Sequence, residues 1–354
     1  MSNFWQGKKV FVTGHTGFKG GWLVLWLEAL GAEVRGYSLA APSAPNLFAL
    51  AEVARGMDSI EGDIREAGKL AAAMRAQQPE IVFHLAAQPL VRQSYADPLA
   101  TYAVNVMGTA NLLDAARHCP SVRAAVVITT DKCYENREWL WPYRESDRLG
   151  GHDPYSSSKA CAEVLASSFR RAFFADGTVA TARAGNVIGG GDWAADRLVP
   201  DMVRAFSAGE ALVLRNPEAV RPWQHVLEPL RGYLLLAERL YTEGQPFAEA
   251  WNFGPESSEA RPVSWLAERF AELWGNGAAW RHAAAEQPHE AQMLTLDWSK
   301  AAARLDWHPL LPLDESLAWT AEWYSRWRKG EPMRAFTLQQ LSLYRERAAR
   351  GVRA

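Results

Sequence analysis

The chain has 354 residues, 48% of them hydrophobic and 22% charged, which suits one large α/β domain with a smaller second lobe. A net charge of −2 argues against a nucleic-acid binder. No apolar run approaches the roughly 18 residues of a membrane span, and the first eight residues carry no signal-peptide core, so a cytoplasmic protein without a membrane partner is expected.

In chain order, Val10, Phe11 and Val12 form a short apolar strand pattern. Thr13-Gly14 breaks it. Gly14, Gly17 and Gly20 follow at three-residue spacing, and a helical pattern then runs through Trp22, Leu23, Leu25, Trp26 and Leu30. Strand, glycine turn and helix form the first unit of a dinucleotide-binding fold. The turn and helix start (Gly14, His15, Gly17, Phe18, Lys19, Gly20) would cradle a pyrophosphate. A second strand over 33–38 ends at Ser38 with no acid to hold ribose hydroxyls, so this position leaves NAD against NADP open. Asp63, followed by Ile64, suits either a strand end near the adenine or a simple turn.

Residues 81–85 read as a strand buried on both faces, and the small residues after Leu85, Ala86 and Ala87, let a cofactor lie close to the backbone. Gln88 follows. Asp97-Pro98 signals a helix start, with the helix running to about His118. Within it Asn105 either ties a neighbouring loop or lies on the surface. Residues 124–129 form another buried strand, ending in Thr129-Thr130-Asp131-Lys132-Cys133-Tyr134. Asp153-Pro154 starts a helix on which Tyr155 and Lys159 share a face. A strand over 179–183 leads to Gly185-Asn186, and Gly189–Gly191 reads as a flexible junction. The strand–helix alternation weakens there. The expected division is a dinucleotide-binding domain over 1–185 and a substrate lobe over 186–354, with some chain exchange near the boundary. The fold class is α/β, a Rossmann-type doubly wound parallel sheet with a smaller α/β C-terminal lobe. The last stretch, from Phe336, reads as a solvated basic helix, and the sixteen Trp as core and interface filler. Cys119, Cys133 and Cys161 make no CxxC pair and no zinc spacing, so free thiols and no metal are expected.

Ligands of open parallel sheets bind beyond the carboxyl ends of the strands, so chemistry is expected at the TTDKCY end. A lysine ammonium beside a tyrosine favours the phenolate, which predicts a lowered pKa for Tyr155 and a base able to take a proton from an alcohol as hydride leaves the same carbon. Thr129 or Thr130 would share the proton relay.

TGHTGFKG, HLAAQ, TTDKCY and PYSSSK resemble the extended short-chain dehydrogenase/reductases. The longer blocks DKCYENREW, GGHDPYSSSK, RAGNVIGGGDW and RPWQHVLEPL are similar to the nucleotide-sugar 4,6-dehydratases, over nearly the whole chain. The resemblance implies NAD as cofactor and a CDP-glucose substrate. It implies oxidation at C4 with Tyr155 as base, water loss across C5–C6, and hydride return to C6. Asp131 carries over as the general acid. Lys132 occupies the position of the C5 base, either as a lysine of lowered pKa or as an electrostatic stabiliser of the enolate. Gln88, Asn186, Arg197, Arg221 and His289 carry over as substrate contacts, with Trp223 either flanking the nucleotide or packing in the core. The resemblance also implies a homodimer, or a dimer of dimers, through the helices beginning near Pro98 and Tyr155. Two residues, His15 inside the turn and Ser38 in place of an acid, imply a looser hold on NAD.

Overall fold

The computed structural model describes residues 3–283 and 293–351. A seven-stranded parallel sheet lies at its centre: β1 (Lys9–Thr13), β2 (Glu33–Ser38), β3 (Asp58–Glu61), β4 (Ile81–His84), β5 (Ala124–Ile128), β6 (Val179–Ala184) and β7 (Ala250–Phe253). The order is β7-β6-β5-β4-β1-β2-β3. Every residue of β4, β5 and β6 is buried, because helices cover both faces of the sheet; β5 is apolar throughout, while β4 ends in His84 and β6 carries Thr181 and Arg183. The order reverses between β1 and β4, which opens a crevice at the carboxyl ends of these strands. Thr13 is level with both Tyr37 and His84 in the ladder, so three strands end around that crevice.

Helix α1 (Phe18–Ala29) is buried continuously from Gly20 to Leu27, as its apolar composition on every side requires. Helix α2 (Ala67–Gln77) follows β3. A continuous helical run over 98–117, α3, starts with Asp97 Oδ1 accepting from the Ala100 N–H at 3.0 Å and with Pro98 at the first position. Its middle turn, Ala103–Met107, is π-helical and carries Asn105, which is buried. Helix α4 (Pro154–Phe173) is capped the same way, Asp153 Oδ1 accepting from the Ser156 N–H at 2.9 Å. Leu99 and Met107 on α3, and Val164 and Phe173 on α4, are each more than half exposed.

Beyond β6 the chain leaves the sheet for short strand pairs, Val187–Ile188 with Gln224–His225 and Val220–Arg221 with Arg261–Pro262. It returns to the sheet as β7, so residues after 186 complete the first layer. Helices α5 (Leu198–Ser207), α6 (Leu227–Glu243), α7 (Val263–Trp274), α8 (Leu313–Arg328) and α9 (Met333–Arg350) enclose one continuous core with α1. Trp5, Trp22, Trp26, Trp251, Trp307 and Trp323 are fully buried, as core filler should be.

Two expectations fail here. Gly189–Gly191 is not a loose junction: Gly190 lies under the Trp323 ring, where an added Cβ would sit 1.9 Å from Cγ, and its carbonyl accepts from Trp22 Nε1 at 2.9 Å. The terminal helix α9 is not merely solvated: Met333, Phe336, Leu341 and Tyr344 are buried, and Tyr344 Oη donates to the buried Glu228 at 2.8 Å. Its basic residues, of which Arg334 pairs with Glu28 and Arg347 with Glu315, mask this buried seam in the sequence. Cys119 and Cys133 are buried free thiols and Cys161 an exposed one. Among the described residues no helix is long and apolar enough to cross a membrane, and no group of side chains could hold a metal ion.

Candidate active site

The crevice between β1 and β4 is bordered by the glycine turn and the loop after β4. Gly14 has φ +78°, and a Cβ there would lie 2.6 Å from the Ala86 nitrogen, so only glycine lets the turn touch Leu85–Ala86. Helix α1 begins after Gly17 with no side-chain cap and no acid in its first turn, which leaves its N–H groups and positive dipole end to an anion. Thr13 Oγ1 meets His84 Nδ1 at 2.7 Å, and His84 Nε2 meets Thr109 Oγ1 at 3.0 Å, pinning β1, β4 and α3 beneath the turn. Burial pulls His84 down to about 3, so it is a neutral brace.

Around the adenosine end, Ser38 Oγ bonds Thr16 Oγ1 at 2.8 Å. Arg35, the nearest base, pairs with Asp58 at 2.7 Å. A free cation for a 2′-phosphate is therefore not supplied by Arg35, and the set fits NAD. His15 is fully buried; it bonds Ser59 at 2.7 Å and packs edge-on to Phe48, with burial pulling it down to about 4. Asp63 is pulled below its ordinary value chiefly by hydrogen bonds from Arg65, and it caps its own turn. Ile64 is buried against α3 at Gly108.

Asn105 proves to be a clamp, not a surface residue. Its amide accepts from the Gln88 N–H at 2.8 Å and donates to the Gln88 carbonyl at 3.1 Å and to Ser158 Oγ at 2.9 Å. The loop after β4 is thereby fixed to α4 near Tyr155. The Gln88 side chain turns into its own loop, donating to Thr101 Oγ1 at 2.9 Å and accepting from the Leu90 N–H at 2.5 Å.

At the end of β5 the two threonines separate in role. Thr129 Oγ1 points below the sheet end and donates to Glu163 at 2.5 Å. Thr130 Oγ1 donates to Asp131 Oδ1 at 2.8 Å, and its hydroxyl opposes the rise of the Tyr155 phenol. Of the two, Thr129 is committed to Glu163, while Thr130 is the one that lies beside Asp131 and Tyr155. Asp131 is 3% exposed; burial pushes its carboxyl above the ordinary range, opposed by the Thr130 hydrogen bond and by the charges of Lys132 and Arg221. A buried acid that keeps its proton more readily suits a proton donor. Lys132 is half-buried beside it. Lys159 Nζ donates to the Ile128 carbonyl at 3.3 Å, and burial pulls it down to about 8 against the pull of Glu163.

Tyr155 departs from expectation. Burial outweighs everything else and pushes it up to about 12, with Thr130 and Arg197 opposing. Spacing to Lys159 reports proximity but not the loss of water around the phenol, and that loss dominates here.

The second lobe brings two more loops to the site. A Cβ on Gly185 would lie 3.0 Å from Asp131 Oδ2 and 3.1 Å from Pro222 Cγ, so the segments that carry Asn186 and Arg221 meet beside Asp131, on which the Arg221 charge acts. Arg197 pairs with Asp192 at 2.9 Å and shares the field of Tyr155. Lys19, on the first turn of α1, is pulled down to about 8 by burial and by the Arg197 guanidinium, with Asp131 opposing. Trp223 is buried in the core. His289 lies outside the described residues. Glu163 was missed, although it stands four residues after Lys159 and so on the same helical face.

Comparison with known proteins agrees with this geometry. Residues 10–254 match the model of the NAD dependent epimerase/dehydratase family. The chain is 51% identical over 97% of both chains to a protein named CDP-glucose 4,6-dehydratase from Salmonella typhimurium. It is 31% identical to a dTDP-glucose 4,6-dehydratase from Streptomyces antibioticus, over 75% of each chain. The crystal structure of DesIV, a dTDP-glucose 4,6-dehydratase from Streptomyces venezuelae with NAD and TYD bound, superposes with a TM-score of 0.79 at 26% identity, covering 91% of this chain and 98% of that one. Glycine turn, strand-end acid, Tyr155–Lys159 helix and overall similarity together make this chain a member of the NAD dependent epimerase/dehydratase family.

Proposed function

We propose that the protein dehydrates CDP-D-glucose to CDP-4-dehydro-6-deoxy-D-glucose, with NAD restored at the end of each cycle. The observation that carries this is the buried Asp131, held above the ordinary carboxylate range between Thr130 and Gly185, at the same strand end as the Tyr155 contact. A 4-epimerase needs the tyrosine but no acid for a leaving hydroxyl. The cytidine and the glucose come from the Salmonella relative.

Bound NAD supplies the hydride acceptor for C4, the donor for C6 and a positive charge that favours a phenolate. The glycine turn and α1 would hold its pyrophosphate. Tyr155 takes the O4 proton, with Thr130 as its relay. The ketone formed at C4 acidifies the hydrogen on C5. Asp131 gives its proton to the departing C6 hydroxyl, and Lys132 acts at C5, either taking the C5 proton as the neutral amine or, as the ammonium, stabilising the enolate while that proton passes to solvent. Lys159 keeps positive charge near the base of this group, and Arg197, Arg221 and Asn186 face the diphosphate side. Residues 186–351 thus act as the nucleotide-sugar lobe, apart from β7.

The reaction is tested by incubating the protein and NAD with CDP-glucose, dTDP-glucose, UDP-glucose and GDP-mannose in separate reactions. The 4-keto-6-deoxy product is expected from CDP-glucose. Equal or faster turnover of another nucleotide sugar would contradict the assignment.

A further inference from the structure

Glu163 is 3% exposed and shares a face of α4 with Lys159. Its two oxygens serve different strands. Oε1 accepts from Thr129 Oγ1 at 2.5 Å, at the catalytic end of β5. Oε2 accepts from Thr181 Oγ1 and from Arg183 Nη2 on β6, each at 2.7 Å. Arg183 continues to Tyr134 Oη at 2.7 Å, and Tyr134 to Asn252 Oδ1 on β7 at 2.8 Å. Lys159 itself donates to the carbonyl of Ile128, the residue before Thr129. An ion pair with Arg183 alone would satisfy a buried carboxylate from one side. Here the second oxygen is committed to the strand that carries Thr130 and Asp131.

We infer that Glu163 is a positioning residue, its buried carboxylate holding Lys159 in the ammonium form and fixing the end of β5 against α4. This rests on the role given to Tyr155 and Lys159 above. The titratable and charged groups that act on Lys159 are Glu163 on its own helix, Cys133 after β5, His84 at the end of β4 and Lys19 on α1, with Arg183 of β6 behind Glu163. Of these, His84 is neutral and Lys19 repels. Glu163 is the chief support for the charge, while burial pulls Lys159 down to about 8. Removing that support lowers the pKa further, so the ammonium is lost at lower pH.

The test is the pH profile of kcat/KM for the NAD-loaded enzyme and its E163Q and E163D variants, with KM and thermal stability measured alongside. The parent is expected to lose activity as pH rises through about 8. E163Q should move that alkaline limb down by about one pH unit, so that activity above the limb falls about tenfold while activity at acid pH stays near the parent's. E163D should restore most of the limb. If an unpaired Arg183 keeps E163Q from folding, E163Q/R183M removes both charges, and a limb displaced in the same direction by a smaller amount is expected. A limb left in place by E163Q, or by the double variant, would leave Glu163 a purely structural residue and overturn the inference. A parent profile with no such limb would overturn the role of Lys159 itself, and the inference with it.

Discussion

Replacing Tyr155 by phenylalanine is expected to lower turnover by about 10³-fold while leaving the fold and NAD binding in place. The substitution removes one oxygen from a side chain that is 9% exposed, so the ring keeps its packing. What is lost is the phenol oxygen near Thr130 and, with it, the proposed proton acceptor for O4. Since hydride cannot leave C4 while its hydroxyl keeps its proton, the first step stalls and no ketone forms to activate C5. Steady-state turnover, read with an NAD titration and a circular dichroism spectrum, checks this. Activity within about tenfold of the parent would remove Tyr155 from the chemistry, because a positioned acid or base contributes ~10²–10⁴-fold.

Replacing Lys132 by alanine should separate the steps. Hydride should still leave C4, since Thr130, Tyr155 and Lys159 are untouched, but exchange of the C5 hydrogen with solvent should fall by about 10²–10⁴-fold. Lys132→Arg then distinguishes a base from an electrostatic stabiliser. A guanidinium keeps the charge and cannot accept a proton, so it preserves exchange only if charge is what matters. Exchange at the parent rate in Lys132→Ala would take Lys132 out of the elimination and leave C5 without its assigned group.

The frame of the site was readable because its signals are local. A glycine run after an apolar strand, Asp-Pro caps at Asp97 and Asp153, and a four-residue spacing each specify backbone geometry within a turn or two. What the sequence concealed depends on partners far along the chain. Thr129 is set apart from Thr130 by its bond to Glu163, 34 residues away. The clamp at Asn105 needs a π turn, which no periodicity announces. Gly189–Gly191 read as loose because glycine is permissive, whereas here its missing side chain makes room for Trp323. Tyr155 and Lys159 had the right spacing, but spacing carries no account of burial, which pushes the phenol up and the ammonium down. The basic residues along α9 masked a buried stripe that ends at Tyr344, whose hydroxyl donates to Glu228 of α6.

The measurement that tests the proposed cycle most directly follows deuterium placed at C4 of CDP-glucose through one turnover with the NAD-loaded protein. Hydride abstraction, elimination and return within one site predict a CDP-4-dehydro-6-deoxy-glucose carrying the deuterium on C6. Recovery of the deuterium on C4 of an intact hexose would contradict the dehydration and show an epimerase instead.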